Sequence, residues 1–318
     1  MIHYRSFLNW DPPAIAEIWR TQPPLRGRLQ AITPVMLEEL IFAKPYFDRH
    51  GFIVAVDDSR LVGFVHAALG ASEDESTMST DQAAICQLMV VPHARKGEIE
   101  AELLAAGENY LRRKGVRQVF GGCRYPVNPF YLGLYGGSDL PGVLSSDLTF
   151  ASLLRAYDYR EGARRILLSR TLEQFKAPVS GKLIQLRLTH RVSNLHVIPD
   201  TWWSACVWVH ADWTRYELRR KNADDVLVSA TFWDVMPIAR EWGVHAAGLV
   251  RIDDTEEARE AGLTMLLMSE ALLQTHKQGI TLIDAQAAAS DTSLVSLLTQ
   301  LGLVEYDSGI GFVKEVGQ

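Results

Sequence analysis

Two spacings of apolar residues alternate along this 318-residue chain. Short runs, Phe52 to Val56 and Leu61 to Ala67, flank the turn-rich Asp57-Asp58-Ser59-Arg60 and predict a hairpin. Ala83 to Val91, closed by Pro92, predicts another strand. From Glu98 to Lys114 the spacing changes. Ile99, Leu103, Ala106 and Tyr110 fall on one helical face, Gly115 ends the helix, and Val116 to Gly121 returns to strand. The second half repeats this order. Leu183 to Leu188 and Ala205 to Leu218 read as strands, the latter containing a turn. Val226 to Trp233 and Gly243 to Ile252 follow as strands. A helix from about Gly262 to Lys277 then ends at Gly279, and Ile280 to Ala285 is a strand. Between the halves, Lys176 to Lys182 has linker composition.

A fixed offset ties the halves together. Adding 164 carries Arg95 to Arg259, Ile99 to Leu263, Leu103 to Leu267, Gly115 to Gly279, Val116 to Ile280 and Val119 to Ile283, without a gap. The chain therefore reads as two copies of one αβ module, divided as 1–175 and 181–318. Each copy is expected to be a mixed sheet of about five to seven strands flanked by helices. The stretch from Pro126 to Ser146 has no counterpart in the second half. Its Gly, Pro and aromatic content suits a loop beside a substrate or one packed between domains.

The repeated unit is a strand, a loop opening on arginine, a helix, a glycine and a strand. In the second copy the loop reads Arg259-Glu260-Ala261-Gly262-Leu263-Thr264. The first turn of a helix presents unpaired N–H groups and a partial positive charge, which bind phosphate. Gly262 lets an anion approach the backbone, Arg259 adds a positive charge, and the Thr264 hydroxyl is a further donor. Asp253, Asp254, Glu256, Glu257 and Glu260 must then point away from the anion. The first copy puts Glu98 where Gly262 sits and Glu100 where Thr264 sits, so its helix start is expected to cap itself and to repel an anion.

This loop resembles the acyl-CoA signature of the GCN5-related N-acetyltransferase (GNAT) superfamily: Arg or Gln, two residues, Gly, one residue, then Gly or Ala. Thr264 departs from that last position. The resemblance extends over both halves as element order, and implies a tandem, two-domain member. Its fold class would be mixed α+β: two acyl-CoA N-acyltransferase-like domains, each a mostly antiparallel sheet with flanking helices. It implies acetyl-CoA as co-substrate, a small-molecule or peptide amine as acceptor, a working second domain and a degenerate first one. Backbone N–H groups around Leu249, Val250 and Arg251 would hold the thioester carbonyl, and His245 is the candidate general base, with Asp284 and Asp291 weaker. The family's closing helix carries an Asn near its start and a Tyr before a Gly-Phe pair. Here Asp291-Thr292-Ser293 and Leu298 stand in those places, so the usual acid for the leaving thiolate is absent. In the first copy Asn128-Pro129-Phe130-Tyr131 leads to Leu134-Tyr135-Gly136-Gly137. The rival reading is a non-catalytic acyl-CoA-binding or structural protein.

Composition narrows the partners. Hydrophobic residues are 47% and charged residues 22%, as in globular proteins, and the net charge of -6 argues against non-specific nucleic-acid binding. Cys86, Cys123 and Cys206 lie far apart with no CxxC pair, which argues against a disulfide framework or a zinc site. Neither a signal peptide nor a run of 18 apolar residues is present, so a cytoplasmic protein without membrane partners is expected. Trp202, Trp203, Trp208, Trp213, Phe232, Trp233 and Trp242 are dense for one half-chain. They are expected to build core or the seam between domains, and are also compatible with a homo-oligomer.

Overall fold

A computed structural model describes residues 1–122, 124, 127, 130–136, 138–235 and 243–316. Cys123, Asn128, Pro129, Gly137 and Trp242 lie outside the described residues. The first half runs β1 (Ile2–Ser6), α1 (Pro12–Arg20), α2 (Pro34–Leu37), β2 (Phe52–Asp57), β3 (Arg60–Ala71), β4 (Met78–Val90), α3 (Lys96–Arg113), β5 (Gln118–Gly121), β6 (Val143–Leu144), α4 (Leu148–Ala156) and β7 (Arg160–Thr171). The second runs α5 (Gly181–Thr189), β8 (His190–Val197), α6 (Trp202–Val207), β9 (Asp212–Arg220), β10 (Val226–Asp234), β11 (Ala246–Asp253), α7 (Glu256–Glu260), α8 (Leu263–Lys277), β12 (Leu282–Ala288), α9 (Thr292–Gln300) and β13 (Val304–Glu315).

Local chemistry fixes these elements where the pattern placed them. Asp58 and Ser59 both take positive φ, as a two-residue hairpin between twisted strands requires. Gly115 and Gly279, at φ +81° and +93°, end α3 and α8 in the left-handed conformation that spares a side chain. The offset of 164 holds at the level of hydrogen-bond register. The parallel pair Gln82↔Gln118 through Ala84↔Phe120 maps onto Ala246↔Leu282 through Gly248↔Asp284. One extra residue bulges in each preceding strand, Cys86 in β4 and Val250 in β11, again 164 apart. Downstream the offset becomes 144: Asp147 and Asp291 cap α4 and α9, and β7 maps onto β13 end to end. The first half thus carries 20 additional residues before α4, the stretch that has no counterpart in the second.

The repeat does not give two separate sheets. All strands join one sheet in the order β1-β2-β3-β4-β5-β13-β7-β12-β11-β10-β9-β8, with β6 paired to β13. The last strand of each half is exchanged: β13 lies between β5 and β7, and β7 between β13 and β12. A shared aromatic core reinforces this junction. Trp203, Trp208, Trp213 and Trp233 are buried in one cluster with Trp19, Tyr46, Phe130 and Tyr131. The ring of Trp203 stands 4.5 Å from that of Tyr46. At the same seam the buried Lys44 Nζ donates to the carbonyls of Cys206 and Val207, and burial lowers its amine to about 8.

One strand expected from the pattern is a helix, and another begins later than expected. Residues 181–189 form α5, because the Ser180 hydroxyl accepts from the Leu183 N–H and starts a helix. So short an apolar run does not distinguish the two periods. Likewise the Thr201 hydroxyl accepts from the Ser204 N–H and begins α6, so the expected strand over 205–218 starts only at Asp212.

Two outcomes follow from the junction. A fragment of residues 1–175 lacks β13, leaving β5 and β7 as open edges. It should aggregate or melt without cooperativity, and a monomeric fragment with a cooperative circular dichroism melt would count against the exchange. For Lys44, the amine titrates near 8 when folded and near 10.5 when unfolded, so the unfolded chain binds more protons between these values. Stability should therefore rise with pH across that window, and urea unfolding of Lys44→Met should show a flatter profile.

Candidate functional site

β11 and β12 pair only from Ala246↔Leu282 to Gly248↔Asp284. Beyond this point β12 continues beside β7, while β11 continues beside β10 past the bulge at Val250. A V-shaped opening results, flanked by Leu249, Val250 and Arg251 on one strand and Ala285 to Ala288 on the other. Ala247, Leu249, Ile283, Ala285 and Ala287 pack in one core with α8. Alternation turns Asp284 and Gln286 to the opposite face.

The loop Arg259-Glu260-Ala261-Gly262-Leu263-Thr264 joins α7 to α8 at this opening. Gly262 is the N-cap of α8 at φ +79°, and no described side chain caps that helix start. Gly262 at that helix start borders an open cavity of about 490 Å³, lined also by Ser180, Lys182, Arg259, Ser293 and Gln300 among others. Arg259 does not simply stand beside it. Its Nε and Nη2 fork onto Asp254 at 2.7 and 3.0 Å, and Nη1 lies 3.5 Å from Asp291. The Thr264 hydroxyl donates to the same Asp254 at 2.8 Å, so it is turned into the loop and not toward a phosphate. Asp254, with its side chain 3% exposed, is thus the carboxylate that does not point away. It neutralises Arg259 and ties the loop to the helix. Asp253 accepts from Ser229 on the neighbouring strand, and Glu256, Glu257 and Glu260 are exposed.

Lys182 supplies a cation that the pattern hid inside a linker. Its Nζ donates to the Glu260 carbonyl at 2.6 Å, and its Cε would lie 3.5 Å from a Cβ at Gly262. α5 brings it there from some 80 residues upstream, a proximity that only the folded chain creates.

The matching region of the first half differs in charge. Arg95 caps α3 without a side-chain bond and turns back onto Glu98, with Nε–Oε2 at 2.8 Å. Lys96 pairs with Glu100 at 3.6 Å. The glutamates therefore cancel the loop's own cations instead of capping the helix. A cavity of about 230 Å³ beyond this loop is lined by Arg28, Glu100 and Asp147 among others, and not by Arg95 to Glu98. Burial pushes the Glu100 carboxyl up, and Arg28 is drawn to Asp147 at 3.6 Å.

His245 is not brought into the opening. It is exposed, its carbonyl accepts from the N–H groups of Thr281 and Leu282, and it precedes the first residue of β11. Leu249 is four residues further, about 13 Å along a strand at ~3.3 Å per residue. Leu298 is fully buried in the α8–α9 core. Asp284 is buried, two positions from Gln286, and accepts at 3.2 Å from Tyr306 of β13, whose phenol burial raises well above its usual value. Tyr306 gave no sequence signal, because β13 reaches this place only through the strand exchange.

Comparison with known proteins agrees with this architecture. Residues 13–136 match the family model described as Acetyltransferase (GNAT) family. No curated protein sequence matches the chain. It is similar to a tandem GNAT protein from the clavulanic acid biosynthesis pathway: 14% identity, 100% of this chain and 99% of the other, TM-score 0.67. It is similar to a GCN5-related glucosamine N-acetyltransferase region in a fungal multi-domain GH3 β-N-acetylglucosaminidase: 14% identity, 99% of this chain but 38% of the other, TM-score 0.72. A GCN5-related N-acetyltransferase from Sphaerobacter thermophilus gives 14% identity, coverage of 99% and 95%, and a TM-score of 0.62. Identities this low establish the fold. Among the described residues no helix is long and apolar enough to cross a membrane.

The Asp254 knot has a measurable weight. Asp254→Asn removes the charge from three hydrogen bonds at a buried position, a loss of about 2–4 kcal/mol. At ~2–4 °C per kcal/mol for a domain of this size, the melting temperature should fall by about 4–16 °C. A thermal melt within 1 °C or so of wild type would show that Asp254 does not hold this loop.

Proposed function

The chain is a tandem GNAT-fold protein, and from that premise we propose that its second half is an N-acetyltransferase that moves an acetyl group from acetyl-CoA to a primary amine of a small molecule or peptide. The observation that carries this reading is the uncapped, left-handed glycine start of α8, open to the larger cavity with Lys182 beside it. Pyrophosphate at the first turn of α8, on the N–H groups of Leu263 and Thr264, would receive the helix-end charge and Lys182, with Arg259 locking the loop. The division into domains 1–175 and 181–318 belongs to the same reading. So do a cytoplasmic setting and the degenerate character of the first half, whose loop carries Glu98 and Glu100.

Chemistry in the opening needs a neutral amine and an oxyanion site. The amine lone pair attacks the thioester carbonyl to form the C–N bond and a tetrahedral oxyanion, which N–H groups of the Leu249 to Arg251 stretch would stabilise, and collapse of that oxyanion breaks the C–S bond. The proton lost by the amine leaves with the CoA thiol formed. Fully buried Leu298 supports a second reading, acyl-CoA binding without turnover, because it removes the family's acid from the leaving sulfur. Release of free thiol in an amine panel separates the two readings.

Lys182→Glu should weaken acetyl-CoA binding by tenfold or more in calorimetry. A charge-assisted bond contributes about 1.5–3 kcal/mol, and ~1.4 kcal/mol is a factor of ten. This exposed position is a cleaner probe than Gly262→Glu, since any side chain at φ +79° adds backbone strain of about 1–2 kcal/mol to the electrostatic loss. Unchanged affinity in Lys182→Glu would place the ligand elsewhere.

A further inference from the structure

Described residues of the stretch that the first half carries in excess, Gly136, Ser138 and Asp139, lie against the strands of the second half's opening. Consecutive residues of this insertion hold the two strands that have stopped pairing. The Ser138 hydroxyl, 2% exposed, donates to the Leu249 carbonyl of β11 at 2.7 Å. The next residue, Asp139, accepts at its carbonyl from Gln286 Nε2 of β12 at 2.6 Å. The Asp139 carboxylate lies 3.5 Å from Arg165 of β7, and the Leu134 carbonyl accepts from the Leu29 N–H of the first half. Gly136 packs against the same strands: a Cβ there would fall 3.0 Å from Asp284 Oδ2 and 2.8 Å from Tyr306 Oη.

Leu249 pairs with Phe232 of β10 at the edge of a break in both of its ladders. Pairing with β12 ends one residue earlier, and the register with β10 shifts at Val250. We propose that Ser138, contributed by the first half, is a positioning residue of the second half's site: with Asp139 it forms a strut that fixes the width of the β11–β12 opening and holds the Leu249 peptide against the thioester. This rests on the reading of the second half as the acetyltransferase. A reacting group must be held to a fraction of an ångström, and a misplacement of about 1 Å costs on the order of a hundredfold in rate. The strut does not touch the α8 loop, so its loss should act on turnover and spare cofactor affinity.

The test uses the full-length chain, acetyl-CoA, and hydroxylamine as a small nucleophile in place of the acceptor, with thiol release as readout. Ser138→Ala is expected to keep the dissociation constant for acetyl-CoA within about twofold while lowering the catalysed rate about tenfold, the effect of one buried hydrogen bond. Ser145→Ala removes another contact between the halves, a 2.7 Å hydroxyl pair with Ser308, and is expected to leave the rate unchanged. Gln286→Ala cuts the other anchor and should reproduce the rate loss if Ser138→Ala does not fold. The proposal is overturned by a wild-type rate in the strut variants, by rate losses in all three variants that track their melting temperatures, or by a wild type that binds acetyl-CoA and releases no thiol above background. Absence of acetyl-CoA binding by wild type is a separate result, and overturns the functional reading on which the strut depends.

Discussion

The exchange of β7 and β13 is the constraint on which the rest of this molecule depends. Each strand finishes the partner half's sheet while lying next to its own counterpart. A strand edge left open in either half is an unpaired row of N–H and C=O groups, and the exchange closes both rows at once. It also brings Tyr306 and Ser308 from the end of the chain to Asp284 and Ser145. The tryptophan-rich seam then buries large apolar surfaces across the same junction, so the halves are joined by backbone ladders and by packing together.

The two helix starts differ in how their charges are arranged. In the second half a left-handed glycine opens α8, and the carboxylate nearest the arginine is buried behind it. In the first half arginine itself opens α3, and glutamates on the first turns take the cations. The family-model match falls on the first half, residues 13–136. Fold and binding competence are therefore separate questions in a duplicated chain.

What the sequence disclosed was local. The hairpin at Asp58-Ser59, the helix ends at Gly115 and Gly279 and the 164-residue offset all come from contacts within a few residues or from one internal comparison. The offset held down to the bulges at Cys86 and Val250 and the parallel register. Misread elements were short: α5 and α6 start on Ser180 and Thr201, whose capping role outweighed an ambiguous apolar run. The site was less legible. Arg259 and Thr264 were recognisable, but their engagement with Asp254 depends on how the loop folds back. Lys182, Ser138 and Tyr306 reach the opening from three distant segments, and no periodicity records such a meeting.

An internal duplication leaves the two copies free to diverge in different ways once they share a sheet. The second half cannot shed the first, because β7 is a neighbour of β12, the strand that forms one wall of its opening. The first half takes part in the junction through β5, β7 and the seam. The insertion between β5 and α4 in that copy lies within hydrogen-bond reach of Leu249 and Gln286 across the junction. The strand exchange makes that reach possible: it sets the α4 side of one half against the strand opening of the other. Contacts from one copy at the other copy's opening are thus a consequence of the same shared sheet.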